Sequence, residues 1–469
     1  MGKVNGFLEA QRLEDPFRPE KARLGDYQAL HTPLPMEQRR TQASRCMNCG
    51  VPYCQSHYGC PLHNLIPEWN DLLYLGQARE ALERLRKTAP FPEWTGRVCP
   101  ALCEKACMLA ADGSVTNRDN ELFLIEEGFR QGWVQPRIPA HRTGKSVAVV
   151  GAGPAGLAVA DRLNQYGHQV TVIERADRPG GLLMYGIPNM KLPKPIITRR
   201  IELLKAEGVL FRMNTEATPE MLASYDAAVL CCGAKQPRAL HAPGDAAQGV
   251  DYAVDYLSEA TRALLEKRAP TIDARGKRVL VVGGGDTGND CVATCLRQGC
   301  AQVTQLELLP APPTARTRDN PWPEWPRTLR TDYGQLEAIA RQGCDPRVYE
   351  TTVQRVVQGE SGSIAAIETV RMQRAADGRF QPVPGSERQQ PCELLLIAAG
   401  FVGCEPSTAQ ALGLTLTPRG VPATAEGTHR IRPGLYAAGD LRTGQSLVVR
   451  AIADGLAAAD EVHAALQAR

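Results

Sequence analysis

The sequence predicts an α/β protein in which a helical, cysteine-rich N-terminal domain precedes two Rossmann-type domains, the second inserted into the first. Three observations support this fold class: seven cysteines fall within residues 46–107, two glycine-rich turns each follow a short apolar stretch, and a Gly-Asp pair follows another near the C-terminus. At 469 residues the chain is long enough for two to four domains. We place the N-terminal domain at 1–143, the first Rossmann-type domain at 144–265 and 397–469, and the inserted domain at 266–396.

The composition is that of an ordinary globular protein. Apolar residues make up 43% of the chain, charged residues 22%, and the net charge is only +3 without a Lys/Arg block, so nothing indicates nucleic acid binding. The longest small and apolar run, residues 147–160, contains three glycines and a proline and is too short to span a bilayer. Residues 1–17 are polar and lack the apolar run of a signal peptide. We therefore expect a cytoplasmic protein that binds neither nucleic acid nor a membrane.

The N-terminal domain is predicted from its cysteines and from the lack of strand-like runs of β-branched residues. Its cysteines are Cys46, Cys49, Cys54, Cys60, Cys99, Cys103 and Cys107. In a reducing compartment such a dense group indicates metal ligation rather than disulfides. The close spacings and two Cys-Pro dipeptides are typical of iron–sulfur binding, and two four-iron clusters need eight ligands, so one further residue must contribute. Zinc is the alternative, with His57 and His63 available to complete a second site.

The first Rossmann-type unit begins at residue 146. An apolar strand leads into a turn with glycines at positions 151, 153 and 156, then a helix that Gly167 ends, and a second strand before Glu174. In such a turn the first glycine permits the tight bend, the second lets a pyrophosphate approach the backbone, and the third allows close packing of helix on strand. The acid after the second strand can accept hydrogen bonds from ribose hydroxyls.

The same unit recurs from residue 278, with glycines at 283, 285 and 288 and with Glu307 after its second strand. In both units the first glycine of the turn and the glycine that ends the helix are 16 residues apart. Two copies of one dinucleotide-binding unit predict two dinucleotides.

The C-terminal region decides which dinucleotide each unit binds. A chain that leaves its first unit, builds a second and returns with a Gly-Asp turn encloses a permanently bound cofactor in the first unit, so we assign FAD there and the nicotinamide dinucleotide to the second. The predicted FAD contacts are Gly151, Gly153, Pro154, Gly156, Glu174, Arg175, Gly181, Leu182, Lys191, Gly439, Asp440, Gln445, Ser446 and Leu447. The predicted nicotinamide dinucleotide contacts are Gly283, Gly285, Asp286, Thr287, Gly288 and Glu307. We assign no catalytic side chain, because the flavin carries the hydride chemistry.

The choice between NADH and NADPH depends on charge near the ribose. Glu307 would repel a 2′-phosphate, which favours NADH. The next arginines along the chain, Arg316 and Arg318, are the alternative, since either one folding back would favour NADPH. Composition alone assigns no role to the Pro- and Trp-rich stretch that contains them.

Several motifs together resemble the small (beta) subunit of glutamate synthase, and the architecture is shared with the N-terminal half of dihydropyrimidine dehydrogenases. The motifs lie at residues 45–54, 60–70, 96–103, 180–188, 320–326 and 439–449. Many bacterial members carry paired arginines after the second strand and use NADPH; this chain lacks that pair, and its 310–334 segment looks closer to the NADH-dependent version.

The resemblance also implies a grouping of the cysteines. Cys46, Cys49, Cys54 and Cys107 would hold one 4Fe–4S cluster; Cys60, Cys99 and Cys103 would hold the other, with Glu121 as its fourth ligand. It further implies a hetero-oligomer with a large (alpha) subunit that makes L-glutamate from L-glutamine and 2-oxoglutarate. A related enzyme that reduces ferredoxin or another acceptor is the alternative.

Overall fold

The computed structural model describes residues 3–468; Met1, Gly2 and Arg469, at the outer ends of the first and last predicted domains, lie outside the described residues. The described chain contains a helical N-terminal region, two mainly parallel sheets with helices against them, and an antiparallel sheet. The predicted fold class is confirmed. Within residues 3–468, no helix has both the length and the apolar character needed to cross a membrane.

The N-terminal region consists of short helices because prolines and cysteine loops interrupt it repeatedly. Helix Ala78–Leu85 shows how these helices pack: its buried residues recur with a helical period, so that one apolar face meets the core while the other is charged. Trp69 and Trp94 fill that core and are fully buried. The helices are Gly6–Glu9, Glu20–Gly25, Met36–Ala43, Ile66–Tyr74, Ala78–Leu85, Pro92–Val98, Leu102–Lys105 and Asn117–Arg130, with a short 3-10 turn at Tyr53–Gln55.

The first sheet has six strands, and its central strands are runs of Val and Ala buried on both faces, as parallel strands covered by helices require. Their spatial order is Arg430–Arg432, Leu435–Ala437, Ala227–Leu230, Ser146–Val150, Gln169–Ile173 and Leu210–Arg212. The strand Leu435–Ala437 pairs with Ala227–Leu230, so the chain returns to this sheet after the insertion, as predicted. Helix Val448–Gln467 then packs on helix Pro154–Gln165, where a Cβ on Gly455 would lie 2.5 Å from the Ala155 carbonyl oxygen.

The second sheet has five parallel strands in the order Val250–Tyr252, Leu394–Ile397, Arg278–Val282, Gln302–Leu306 and Arg347–Val348. Strand Val250–Tyr252 and helix Ala253–Glu266 already belong to this unit, because the helix buries Tyr256 and Leu257 in its core. The inserted unit therefore begins before the predicted boundary at residue 266.

An antiparallel sheet within the inserted unit was not predicted from the sequence. Its strands are Thr351–Gln358, Ile364–Arg374, Phe380–Pro382 and Arg388–Pro391. The two chain crossings between the units pair with each other as strands Gln236–Pro237 and Phe401–Gly403. The remaining helices are Leu182–Tyr185, Lys194–Ala206, Pro219–Leu222, Asp286–Gln298, Tyr333–Gln342, Pro406–Ala411 and Asp440–Thr443.

Buried ion pairs join the N-terminal region to both units. Glu93 accepts two hydrogen bonds from Arg200 of the first unit, at 2.5 and 3.0 Å, and both side chains are fully buried. Glu337 of the second unit binds Arg23 from the N-terminal region at 2.9 Å and Arg297 from its own unit at 2.6 Å. These contacts place the cysteine loops against both dinucleotide-binding units.

Candidate dinucleotide and cysteine sites

The two glycine-rich turns have the same geometry. Gly151 has φ +105°, and a Cβ there would lie 2.5 Å from the Cys231 carbonyl oxygen of the neighbouring strand. A Cβ on Gly156 would collide with the Gly151 carbonyl, whereas one on Gly153 would meet nothing within 4 Å. The second turn repeats this pattern at Gly283, where φ is +127°. Each turn thus keeps its middle glycine open to an approaching group and its outer glycines packed.

A large cavity, called the FAD cavity here, lies beside the first turn. Nine of the predicted FAD contacts line it: Gly151, Gly153, Pro154, Glu174, Arg175, Gly181, Leu182, Asp440 and Ser446. Predicted residues that do not line it are Gly156, Lys191, Gly439, Gln445 and Leu447. Residues 215–217, 231–235 and 405 also line it and were missed, because they come from loops that only the sheet brings together.

Polar contacts shape the two sides of the FAD cavity. Glu174 accepts hydrogen bonds from the backbone N–H groups of Ala152 and Ala176, at 2.8 and 2.9 Å, and so fastens the turn to the second strand. On the opposite side the Ser446 hydroxyl donates to Asp440 at 2.7 Å, and burial raises the pKa of Asp440 above its usual value. The open turn, the start of helix Pro154–Gln165 and the acid at the strand end are the features that a dinucleotide requires.

Lys191 lies between the two units rather than in the FAD cavity. Its ammonium group pairs with Asp290 at 3.0 Å, and the Tyr333 hydroxyl donates to the same carboxylate at 2.8 Å. Asp290 lies on helix Asp286–Gln298, so this buried group fastens the inserted unit to the first unit.

A second cavity, called the nucleotide cavity here, lies beside the second turn. Of the predicted contacts, Gly285, Asp286 and Glu307 line it, whereas Gly283, Thr287 and Gly288 do not. The Glu307 carboxylate accepts a hydrogen bond from the Leu309 N–H at 2.9 Å. Lining residues that the sequence did not identify include Asn289, Arg330, Asp332, Arg347 and Tyr349.

The arginines that line this cavity are not the two that the sequence suggested as favouring NADPH. Arg316 turns into its own loop, where it donates to the Glu324 carbonyl at 2.7 Å, and neither it nor Arg318 lines the cavity. Arg330 lines it with 45% of its side chain exposed, whereas Arg347 is held by Asp345 at 2.7 Å.

The seven N-terminal cysteines and Glu121 surround two small cavities. Cys60, Cys99, Cys103 and Glu121 line the one nearer the first unit, the inner cavity. Cys46, Cys49, Cys54 and Cys107 line the other, the outer cavity. Among residues 3–468, no three potential ligands converge closely enough to hold a single metal ion. The structure thus brings the cysteines together in the two sets that the family resemblance implied.

Burial disfavours ionisation of the side chains at both cysteine cavities. Burial raises the pKa of Cys46 and of Cys60 to about 12 and that of Cys99 to about 11. Burial also raises the pKa of Glu121 to about 7, against the hydrogen bond that Thr95 donates to it. Thiols grouped in this way become thiolates only beside a positive centre. The outer cavity has four thiols and the inner cavity three thiols and Glu121, so each has the number of donors that a four-iron cluster needs.

The three cavities lie in series along the chain's helices. On helix Val448–Gln467, Val448 lines the FAD cavity and its neighbour Val449 lines the inner cavity. Ile66 lines both the inner and the outer cavity. The inner and outer cavities thus share the Ile66 side chain as a wall, whereas the FAD and inner cavities are lined by consecutive residues of one helix.

Comparison with known proteins agrees with this division of the chain. Residues 23–133 match the family described as dihydropyrimidine dehydrogenase domain II, 4Fe-4S cluster, and residues 145–320 match pyridine nucleotide-disulphide oxidoreductase. The Mycobacterium tuberculosis protein FprA, in a structure described as a complex with NADPH, has the same fold over 69% of this chain and 85% of its own, with a TM-score of 0.54 and 18% identity. Fold and site together define an iron–sulfur flavoprotein oxidoreductase that uses NAD(P)H.

Closer relatives identify the family. The glutamate synthase [NADPH] small chain of Bacillus subtilis is 47% identical over 98% of both chains. Glutamate synthase [NADH] of Schizosaccharomyces pombe is 43% identical over all of this chain, which corresponds to 23% of that protein. The chain belongs to the glutamate synthase small chain family, which confirms the resemblance found in the sequence motifs.

Proposed function

We propose that this chain is the electron-input subunit of glutamate synthase. The observation that carries the proposal is the series of three cavities joined through Val448, Val449 and Ile66. FAD in the first cavity would accept hydride from NAD(P)H, and two 4Fe–4S clusters would carry single electrons onward. The protein's own part is to hold these groups in order and to exclude water between them.

Specific residues would hold each group. The backbone of the first glycine turn and the start of helix Pro154–Gln165 would bind the FAD pyrophosphate. The second turn would do the same for the nicotinamide dinucleotide. The four donors at each cysteine cavity would ligate one cluster, with Glu121 replacing a cysteine at the inner cavity.

The acceptor would be a large subunit that makes L-glutamate from L-glutamine and 2-oxoglutarate, in a hetero-oligomer with this chain. The S. pombe relative supports this partner, because the region equivalent to this chain is only 23% of a single larger protein. The test is to co-express this chain with the large subunit encoded in the same genome and purify through a tag on this chain. Co-purification with glutamine-dependent oxidation of NAD(P)H supports the proposal. A chain that purifies alone and reduces ferredoxin instead would establish the alternative acceptor.

Replacing Glu121 tests its role at the inner cavity. Glu121→Ala should weaken the inner cluster and lower the bound iron, because three cysteines remain where four ligands are needed. Glu121→Gln keeps an oxygen donor of the same reach, so it should retain the iron but shift the potential of that cluster. Iron analysis and EPR of the reduced protein measure both effects. Wild-type iron and an unchanged EPR signal in Glu121→Ala would show that Glu121 is not a ligand.

Replacing Glu307 tests the choice of nucleotide. Its carboxylate should accept hydrogen bonds from the adenosine ribose and repel a 2′-phosphate, so NADH should be preferred. Hydrogen bonds to a charged acceptor contribute about 1.5–3 kcal/mol each, enough for a preference of about tenfold or more. Glu307→Ala should raise the KM for NADH and reduce the difference in kcat/KM between NADH and NADPH. Both values are measured with an artificial electron acceptor.

The control for this experiment is Arg318→Ala, because Arg318 is exposed and does not line the nucleotide cavity. It should change kcat/KM for neither nucleotide. A wild-type preference for NADPH would contradict the role given to Glu307.

A further inference from the structure

One loop of the inserted unit reaches both the nucleotide cavity and the outer cavity. Residues 310–330, called the finger here, connect strand Gln302–Leu306 to helix Tyr333–Gln342. At the base of the finger, Pro310, Pro312, Leu329 and Arg330 line the nucleotide cavity. Its tip crosses to the N-terminal region.

Trp322 forms the contact at the tip. Its indole N–H donates to the backbone carbonyl of Cys107 at 3.1 Å, and its ring packs on the Tyr53 ring with the centroids 4.7 Å apart. Cys107 and Tyr53 both line the outer cavity. One side chain of the inserted unit thus holds two parts of the wall of that cavity.

The finger is braced along its length. The Leu329 N–H donates to the Pro313 carbonyl at 2.8 Å and closes the base. Asn320, only 2% exposed, donates to the Trp325 carbonyl at 3.0 Å and accepts from the Arg327 N–H at 2.7 Å. These bonds tie the two arms of the finger together between its base and its tip.

We propose that the finger couples occupancy of the nucleotide cavity to the oxidation state of the outer cluster, with Trp322 as the positioning residue. The inference rests on the proposed cluster at the outer cavity. The potential of such a cluster depends on how its ligands are held and on what surrounds them, and Trp322 holds the Cys107 backbone and the Tyr53 ring at the wall of the outer cavity. If a bound nucleotide changes the affinity of the cluster for an electron, then reduction of the cluster must change the affinity of the protein for the nucleotide. Thermodynamic linkage makes the two factors equal.

The test is the Kd of ADP-ribose, measured by anaerobic calorimetry on the oxidised and the dithionite-reduced holoprotein. ADP-ribose carries the adenosine and pyrophosphate of the dinucleotide and has no nicotinamide ring to accept electrons. For the wild type we expect the two Kd values to differ by about fivefold or more. Trp322→Ala should bring their ratio close to one, and Trp322→Phe, which keeps the ring but loses the N–H, should give an intermediate ratio.

Arg318→Ala is the control on the same finger, because Arg318 is exposed and lines neither the nucleotide cavity nor the outer cavity. It should keep the wild-type ratio. The coupling would be overturned if the two Kd values of the wild type were equal, or if their ratio in Trp322→Ala were the same as in the wild type. If Trp322→Ala loses iron, the Kd ratio of Trp322→Phe is used instead, and a wild-type ratio in that variant would overturn the coupling. Bound iron is measured in every sample. A wild-type chain without iron would contradict the proposed function, whereas full iron with the same Kd ratio in Trp322→Ala as in the wild type would contradict only the coupling.

Discussion

Cys46→Ala should lower the bound iron from about eight to about four atoms per chain while the FAD absorbance persists. Cys46 lines the outer cavity, and the residues of the FAD cavity come from separate elements of the first unit, so the loss of one cluster should leave the flavin in place. Cys60→Ala should remove the other cluster with the same change in iron, because Cys60 lines the inner cavity.

Cys344→Ala is the control for these variants, since Cys344 is an exposed cysteine of the inserted unit. It should keep all of the iron. Iron that stays at the wild-type level in Cys46→Ala, or a loss in Cys344→Ala, would contradict the ligand assignment.

Glu337→Gln should lower the free energy of unfolding by about 3–5 kcal/mol, because it leaves two buried cations without their partner. Glu337 is fully buried and binds Arg23 and Arg297, whose side chains are only 7% and 1% exposed. The amide nearly matches the carboxylate in volume, so the effect reports charge rather than a cavity. Because Arg23 comes from the N-terminal region, the variant should also loosen that region from the inserted unit.

The measurement is urea denaturation of the holoprotein followed by tryptophan fluorescence, with Glu393→Gln as control. Glu393 pairs with Arg278 at the surface, where an ion pair contributes about 0–1 kcal/mol. We expect a large shift of the midpoint for Glu337→Gln and little for Glu393→Gln. Equal shifts in the two variants would show that the buried ion pairs are not what joins the N-terminal region to the inserted unit.

The glycine turns could be predicted from the sequence because their requirements are local. Gly151 and Gly156 are confined by carbonyl groups of adjacent backbone, and the strand, turn and helix that create this geometry are contiguous in the chain. The spacing of the cysteines, in contrast, does not reveal that Cys107 belongs with Cys46, because the helices between them must first fold back. That grouping came from the family resemblance, and the structure brings the same residues together.

Other features depend on contacts between distant segments and could not be predicted. Lys191 lies in a segment of the first unit, yet its partner Asp290 lies on a helix of the second. Arg330 reaches the nucleotide cavity only because its loop folds back over the second turn, whereas the nearer Arg316 is used to brace that loop. Proximity in the sequence thus indicated two arginines that do not line the nucleotide cavity.

If this chain is the electron-input subunit, electrons should reach the large subunit through the inner cavity, and Cys60→Ala assembled with the large subunit tests this path. Bleaching of the flavin by NADH or NADPH and formation of glutamate are measured on the same sample. The wild-type assembly should show both, whereas Cys60→Ala should still bleach its flavin but form no glutamate. Glutamate formed at the wild-type rate by a Cys60→Ala assembly that lacks the iron of the inner cluster would show that electrons do not pass through the inner cavity.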